Sequence, residues 1–96
     1  MSVTWTETAT AQLVAIRDYL ARSSPGYALA LANRVVTRTE GLADSPRFGA
    51  EVPEYGDPAI RELLEYPYRI LYRVSGLDVQ ILGVIHASRR LPLTPG

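Results

Sequence analysis

Five arginines and one imidazole carry most of the chemistry that this sequence offers. His86 is the single histidine, and Arg61, Arg69, Arg73, Arg89 and Arg90 share its C-terminal part of the chain. An unperturbed imidazole titrates near neutrality and can act as acid or base. A guanidinium stays charged and holds a carboxylate or phosphate through two parallel bonds. The set is therefore suited to an anionic partner or an anionic transition state. All 10 basic residues are arginine and none is lysine. Compositional bias accounts for this, or selection for bidentate contacts. Other chemistries find little support. The absence of cysteine excludes a disulfide framework and a thiol-bound metal, and one histidine excludes a multi-histidine metal site. Gly49 and Gly56 lack the following Lys-Ser or Lys-Thr of a phosphate loop, and Ser24, Ser88 and Thr94 stand in no nucleophile motif. No metal or cofactor is expected.

The elements that position these residues can be read from their periodicity. Val3 to Trp5 reads as a short β-branched and aromatic strand. Thr6 can cap a helix over Glu7–Ser23, where Ala9, Leu13, Ile16 and Leu20 recur at helical spacing. Ser23-Ser24-Pro25-Gly26 interrupts it. A second helix is expected over Tyr27–Asp44, with Ala28, Leu31, Ala32, Val35 and Leu42 on one stripe. The two form an antiparallel hairpin that needs a flat surface to cover. Asp44–Pro58, with Pro46, Gly49, Pro53, Gly56 and Pro58, reads as a long ordered loop.

Three strands should follow, at Ile60–Leu64, Tyr68–Ser75 and Asp78–His86, the last two joined by a type II′ turn at Gly76-Leu77. That turn pairs Val74 with Val79, Tyr72 with Ile81 and Tyr68 with Ile85. Tyr68, Ile70, Tyr72, Val74, Val79, Ile81 and Ile85 then face the helices. Arg69, Leu71, Arg73, Gln80, Leu82, Val84 and His86 form a second face, half apolar and half cationic, that should bind something. Ala87–Gly96 reads as an extended or disordered tail. The expected fold is α+β: an N-terminal strand, a two-helix hairpin, and three antiparallel strands in a twisted sheet with the hairpin on one face.

The chain has 96 residues, room for one domain, and 47% hydrophobic content. Ten arginines balance ten acids, so a generic electrostatic nucleic-acid binder is not expected. Residues 1–58 hold 5 Arg and 7 acids, and residues 59–96 hold 5 Arg and 3 acids, which makes the strand half the better face for an acidic partner. No apolar run approaches the ~18–20 residues of a membrane-spanning helix. The N-terminus has neither the basic nor the apolar region of a secretory signal, and a cytoplasmic location is the default expectation.

Several words along the chain are more specific. They are Trp5, Leu42-Ala-Asp-Ser-Pro46-Arg-Phe-Gly49, Arg61-Glu62-Leu63, Pro67-Tyr68-Arg69-Ile70-Leu71-Tyr72-Arg73-Val74, and Val84-Ile85-His86-Ala-Ser-Arg89-Arg90. In this order and spacing they resemble the RelE/ParE superfamily of bacterial toxins from type II toxin–antitoxin modules, over nearly the whole chain. The resemblance implies a cognate antitoxin, ParD-like, acidic and folding as it binds, in a hetero-oligomer with the toxin. It also implies one of two targets. RelE-like members cut mRNA on the ribosome, and ParE-like members poison DNA gyrase.

Cutting RNA by 2′-OH attack needs a base, cations around the phosphate and an acid for the leaving oxygen. Carried over from the RelE pattern, Arg69 and Arg89 match the family's arginines. The two lysine positions fall on Ile60 and Glu62, and no tyrosine follows Tyr72. His86 would replace the missing acid or base, with Glu51 or Glu54 as an alternative base. The cationic cluster is thin for a nuclease that must face ribosomal RNA. The His-Ala-Ser-Arg-Arg ending and the neutral charge look more like the ParE branch. In that reading Arg61, Arg69, Arg73, His86, Arg89 and Arg90 are target-binding candidates, and the catalytic set Arg69, His86 and Arg89 belongs to the alternative. A third reading is a non-toxic member acting only in an autoregulatory complex. Arg69 and Arg73 also have a structural reading, as salt-bridge partners of Glu62 and Glu65.

Overall fold

The computed structural model describes residues 2–96. Strand β1 (Val3–Trp5) leads directly into helix α1 (Glu7–Ala21). Thr6 makes the junction, because its Oγ1 accepts the Ala9 N–H at 3.0 Å and so caps the first turn. Helix α2 (Pro25–Glu40) follows after three residues. Pro25 opens this helix instead of merely interrupting the first, since a proline at the first helical position gives up no intrahelical bond. The expected bounds therefore move: α1 ends at Ala21 and not Ser23, and α2 ends at Glu40 before a single 3₁₀ turn at Gly41–Ala43.

Four further strands complete the sheet: β2 (Ala50–Glu51), β3 (Ile60–Glu65), β4 (Tyr68–Ser75) and β5 (Asp78–His86). Their order is β1-β5-β4-β3-β2, antiparallel throughout except for β1, which lies parallel to β5. The sheet is therefore mixed: the α1–α2 hairpin carries the chain from β1 at one edge to β2 at the other, and β2 to β5 return antiparallel until β5 meets β1. The hairpin covers one face. Leu31, Val35, Leu42, Leu63, Ile70, Tyr72, Val74, Val79, Ile81 and Val84 are buried there, with Trp5, Leu13, Ile16 and Leu20 packed at the margin. Truncating one of the larger aliphatics in such a core to alanine typically costs about 2–5 kcal/mol.

The β4–β5 register departs from expectation halfway along. Gly76 has φ +62° and no other residue of the turn has positive φ, as a type II′ turn requires. Val74 pairs with Val79 and Tyr72 with Ile81, as predicted. Between Leu71 and Tyr72 the ladder then shifts by one residue, and Tyr68 pairs with His86, not with Ile85. A bulge places two residues of β5 opposite one of β4 and exchanges the faces of everything beyond it. Val84 joins the helix-side core, Ile85 turns to the back with Leu71 and Leu82, and His86 stands beside Tyr68. The face assignments predicted for Val84, Ile85 and His86 are thus reversed.

Where β1 ends, α1 takes over the outer edge of β5. Thr6 N–H donates to the Ile81 carbonyl at 3.0 Å, and Gln12 Oε1 accepts the Val84 N–H at 2.9 Å. Gly83 leaves room for that contact, since a Cβ there would come within 3.0 Å of Gln12 Oε1.

The back of the sheet is covered by the chain itself. Val52, Ile60, Leu71, Leu82 and Leu91 form a second buried cluster, with Tyr55 and Ile85 against it. The face expected to await a partner is closed by the 52–58 loop and by the tail. The tail contains no helix or strand but buries Leu91 to 8% exposure.

Candidate functional site

The expected site residues divide into two groups, one around β3 and β4 and one at the end of β5. Arg69 lies on the back of β4, between two carboxylates. Its Nε and Nη2 donate to Glu62 at 2.7 and 3.1 Å, and its Nη1 and Nη2 donate to Glu54 at 2.7 and 2.9 Å. The side chain is 12% exposed. Glu62 sits on the neighbouring strand, close to the register of Arg69, and Glu54 is delivered by the loop. The guanidinium holds the Glu54 carboxyl well below the usual range, at about 2, through hydrogen bonds first and charge second. Glu54 and Glu62 in turn raise the pKa of Arg69. A carboxylate so strongly stabilised is a poor general base, and a cation already shared by two carboxylates has little field left for a phosphate.

Arg61 is equally occupied. Its guanidinium donates to the carbonyls of Pro58 at 3.1 Å, Arg47 at 3.3 Å and Gly49 at 2.8 Å, and lies 3.9 Å from Glu51. It shapes the 44–58 loop. Buried Tyr72 does the same, with its hydroxyl accepting the Gly49 N–H at 2.8 Å. Burial pushes the Tyr72 pKa up. Glycine is required at position 49, because a Cβ would come within 2.4 Å of the Glu62 carbonyl. Arg73 is half-buried on the back face and, among the described residues, pairs with no acid. Glu65, its expected partner, meets Arg34 at 3.3 Å and Arg38 at 3.9 Å.

His86, Arg89 and Arg90 form the second group. They line a cleft of about 750 Å³ between α1 and the end of β5. Its other walls include Gln12, Ile16, Tyr19, Tyr68, Val84 and Leu91. The His86 ring meets Tyr68 edge-on at 5.5 Å. Its Nδ1 accepts the Ser88 N–H at 3.1 Å and lies 2.7 Å from Ser88 Oγ. A backbone N–H can only donate, which assigns the imidazole proton to Nε2, facing away from the turn. Burial raises the Tyr68 pKa, with Tyr27 and Tyr19 adding to it. Arg89 and Arg90 are exposed, and among the described residues neither has an ion-pair partner.

The bulge is what separates Arg69 from His86. Neighbouring residues 68 and 69 point to opposite faces, and His86 follows Tyr68 while Ile85 follows Arg69. Only His86 and Arg89 of the catalytic set Arg69, His86 and Arg89 share a concavity. The sequence reading missed Gln12 and Tyr19 as cleft residues and Tyr55 as an anchor. The lone Gly83 in an apolar strand was the one local sign of the bulge.

No helix among the described residues is long and apolar enough to cross a membrane, and no cluster of three or more histidine or acidic residues could hold a metal ion.

Residues 3–91 match the family model described as ParE toxin of type II toxin-antitoxin system, parDE. The protein named Toxin RelE2 from Caulobacter vibrioides is 39% identical over 88 residues, which span 91% of this chain and 96% of that protein. A solved structure described as the chromosomal ParDE TA system from P. aeruginosa superposes with a TM-score of 0.74 at 34% identity, covering 90% of this chain and 95% of that one.

Proposed function

The chain belongs to the ParE toxin family of type II toxin–antitoxin systems, and from that premise we propose that it arrests growth by binding and poisoning DNA gyrase, silenced by a ParD-like antitoxin. One observation carries this reading over catalysis. The charged groups that a nuclease would need are divided between two faces, and Arg69 on the back is neutralised by Glu54 and Glu62. Two exposed arginines without an ion-pair partner among the described residues, Arg89 and Arg90, stand at the mouth of a cleft instead. Free charge around an apolar-walled cleft is an arrangement for binding. The similar P. aeruginosa structure is that of a ParDE system, which supports an antitoxin as partner.

The test is a supercoiling assay with purified gyrase and antitoxin-free protein, read for trapped cleavage complexes. Dose-dependent complexes that are lost in an Arg89→Gln/Arg90→Gln variant are the expected result. Unaltered supercoiling at excess folded protein would remove gyrase as the target.

A second reading, ribosome-dependent mRNA cleavage, draws support from the name of the Caulobacter relative and from His86 and Arg89 lining one cleft. It requires that His86→Ala abolish cleavage of translated mRNA. A non-toxic member would instead be expressed harmlessly without antitoxin.

A further inference from the structure

We infer that the cleft between α1 and the tail takes an acidic, apolar-anchored peptide segment of the target protein, and that Tyr55, remote in sequence, is a positioning residue for it. The inference rests on the target-poisoning reading and names the surface used.

Charge selects the cleft over the other candidate faces. None of its lining residues is an acid, while Arg89 and Arg90 stand at its rim with no ion-pair partner among the described residues. The Arg22 guanidinium lies 6.0 Å from the centroid of Tyr19, a ring that is 67% exposed on the cleft wall. The back face offers no such excess, since its two arginines, Arg69 and Arg73, the latter unpaired among the described residues, stand against two carboxylates, Glu54 and Glu62. Ile16, Val84 and Leu91 give the cleft apolar walls, so a carboxylate-bearing segment with an aliphatic or aromatic anchor is complementary to it. Val14, Leu29 and Val36 are exposed on the hairpin and line no part of the cleft, which leaves a separate apolar surface for an antitoxin.

The arginine pair is also held at both ends. On one side the Ser88 N–H bonds to His86 Nδ1. On the other, Leu91 is buried in the back cluster and Tyr55 donates its hydroxyl to the Pro92 carbonyl at 2.9 Å. Holding two cations in place before contact lowers the ordering cost of binding.

The experiment uses the full chain, induced without antitoxin and scored for growth arrest, with cleavage complexes measured in the same cells. The variants are Arg89→Glu/Arg90→Glu, the exposed Tyr19→Ser, and Tyr55→Phe. Each is checked for unchanged melting and for co-purification with the antitoxin. The inference expects growth arrest to be lost in the first, to need at least about tenfold more protein in the second, and several-fold more in the third, with antitoxin capture retained in all. Full arrest by the charge-reversed and Tyr19→Ser variants would overturn the cleft, and full arrest by Tyr55→Phe alone would overturn the positioning role. Loss of antitoxin capture together with unchanged arrest would assign the cleft to the antitoxin and also overturn it. Tight, Arg89/Arg90-dependent binding of a thymidine oligonucleotide by the free protein would overturn the peptide as occupant. Arrest by the natural chain without cleavage complexes would sink gyrase while leaving the cleft tested by the same variants.

Discussion

Replacing Glu54 by glutamine should expose how far the Arg69 network is a structural device. The carboxyl of Glu54 is displaced from 4.5 to about 2 by its hydrogen bonds with Arg69. At ~1.4 kcal/mol per pH unit, that interval sets a ceiling of about 3 kcal/mol. The carboxylate is 46% exposed, and solvent screening reduces the contribution to about 1 kcal/mol. A group with a depressed folded pKa stabilises the fold above its unfolded value and loses that contribution as pH falls through the folded one. Glu54→Gln should therefore lower the melting temperature by about 4–8 °C at pH 7. The difference from the natural chain should shrink below pH 4.5 and vanish near pH 2. Arg69→Met goes further, because it leaves Glu62, 18% exposed, beside Glu54 with no cation between them. That should cost roughly 2–3 kcal/mol, on the order of 10–20 °C. Calorimetric melting from pH 2 to pH 7 reads both. A difference for Glu54→Gln that is absent at pH 7, or constant across the range, would refute the reasoning.

Three other substitutions probe the parts that shape the two faces. Tyr72→Phe strands the buried Gly49 N–H and should cost about 1–3 kcal/mol in urea unfolding; no loss would mean that another acceptor reaches Gly49. Gly49→Ala forces a Cβ to within 2.6 Å of the Tyr72 hydroxyl and 2.4 Å of the Glu62 carbonyl, and should destabilise by at least as much as the Tyr72 change, with the 44–58 loop becoming the first site of limited proteolysis. Gln12→Ala removes the acceptor of the Val84 N–H, and should cost about 1 kcal/mol and speed hydrogen exchange at Val84 by about tenfold while leaving Val74 and Val79 protected.

Much of this architecture can be read before any coordinates. Amphipathic spacing in α1 and α2, the Thr6 cap and the Gly76 turn all follow from local chemistry. The β4–β5 bulge does not. Ile81-Leu82-Gly83-Val84 is apolar throughout, because the strand is buried on both faces, so alternation carries no register signal there. The consequence reaches the site, since the shift alone moves His86 away from Arg69. Strand β2 was equally hidden. Ala50 and Glu51 have no strand propensity and are held by Arg61 and Tyr72 acting at a distance. The Arg69–Glu62 contact was legible as one of two pairings, whereas Glu54 arrives through the path of a long loop. The mixed back face looked like a binding surface because the residues that cover it, Val52 and Leu91, lie in segments without periodicity.

The proposal that this member of the family arrests growth through gyrase, and not by cutting mRNA, is open to a direct test. Cells induced for the natural chain should accumulate gyrase–DNA cleavage complexes, with translated mRNA intact, and a His86→Ala variant, which frees one end of the Arg89/Arg90 segment, should still arrest growth through cleavage complexes, at a several-fold higher protein level. Codon-phased mRNA cleavage that disappears in His86→Ala, without cleavage complexes, would contradict it.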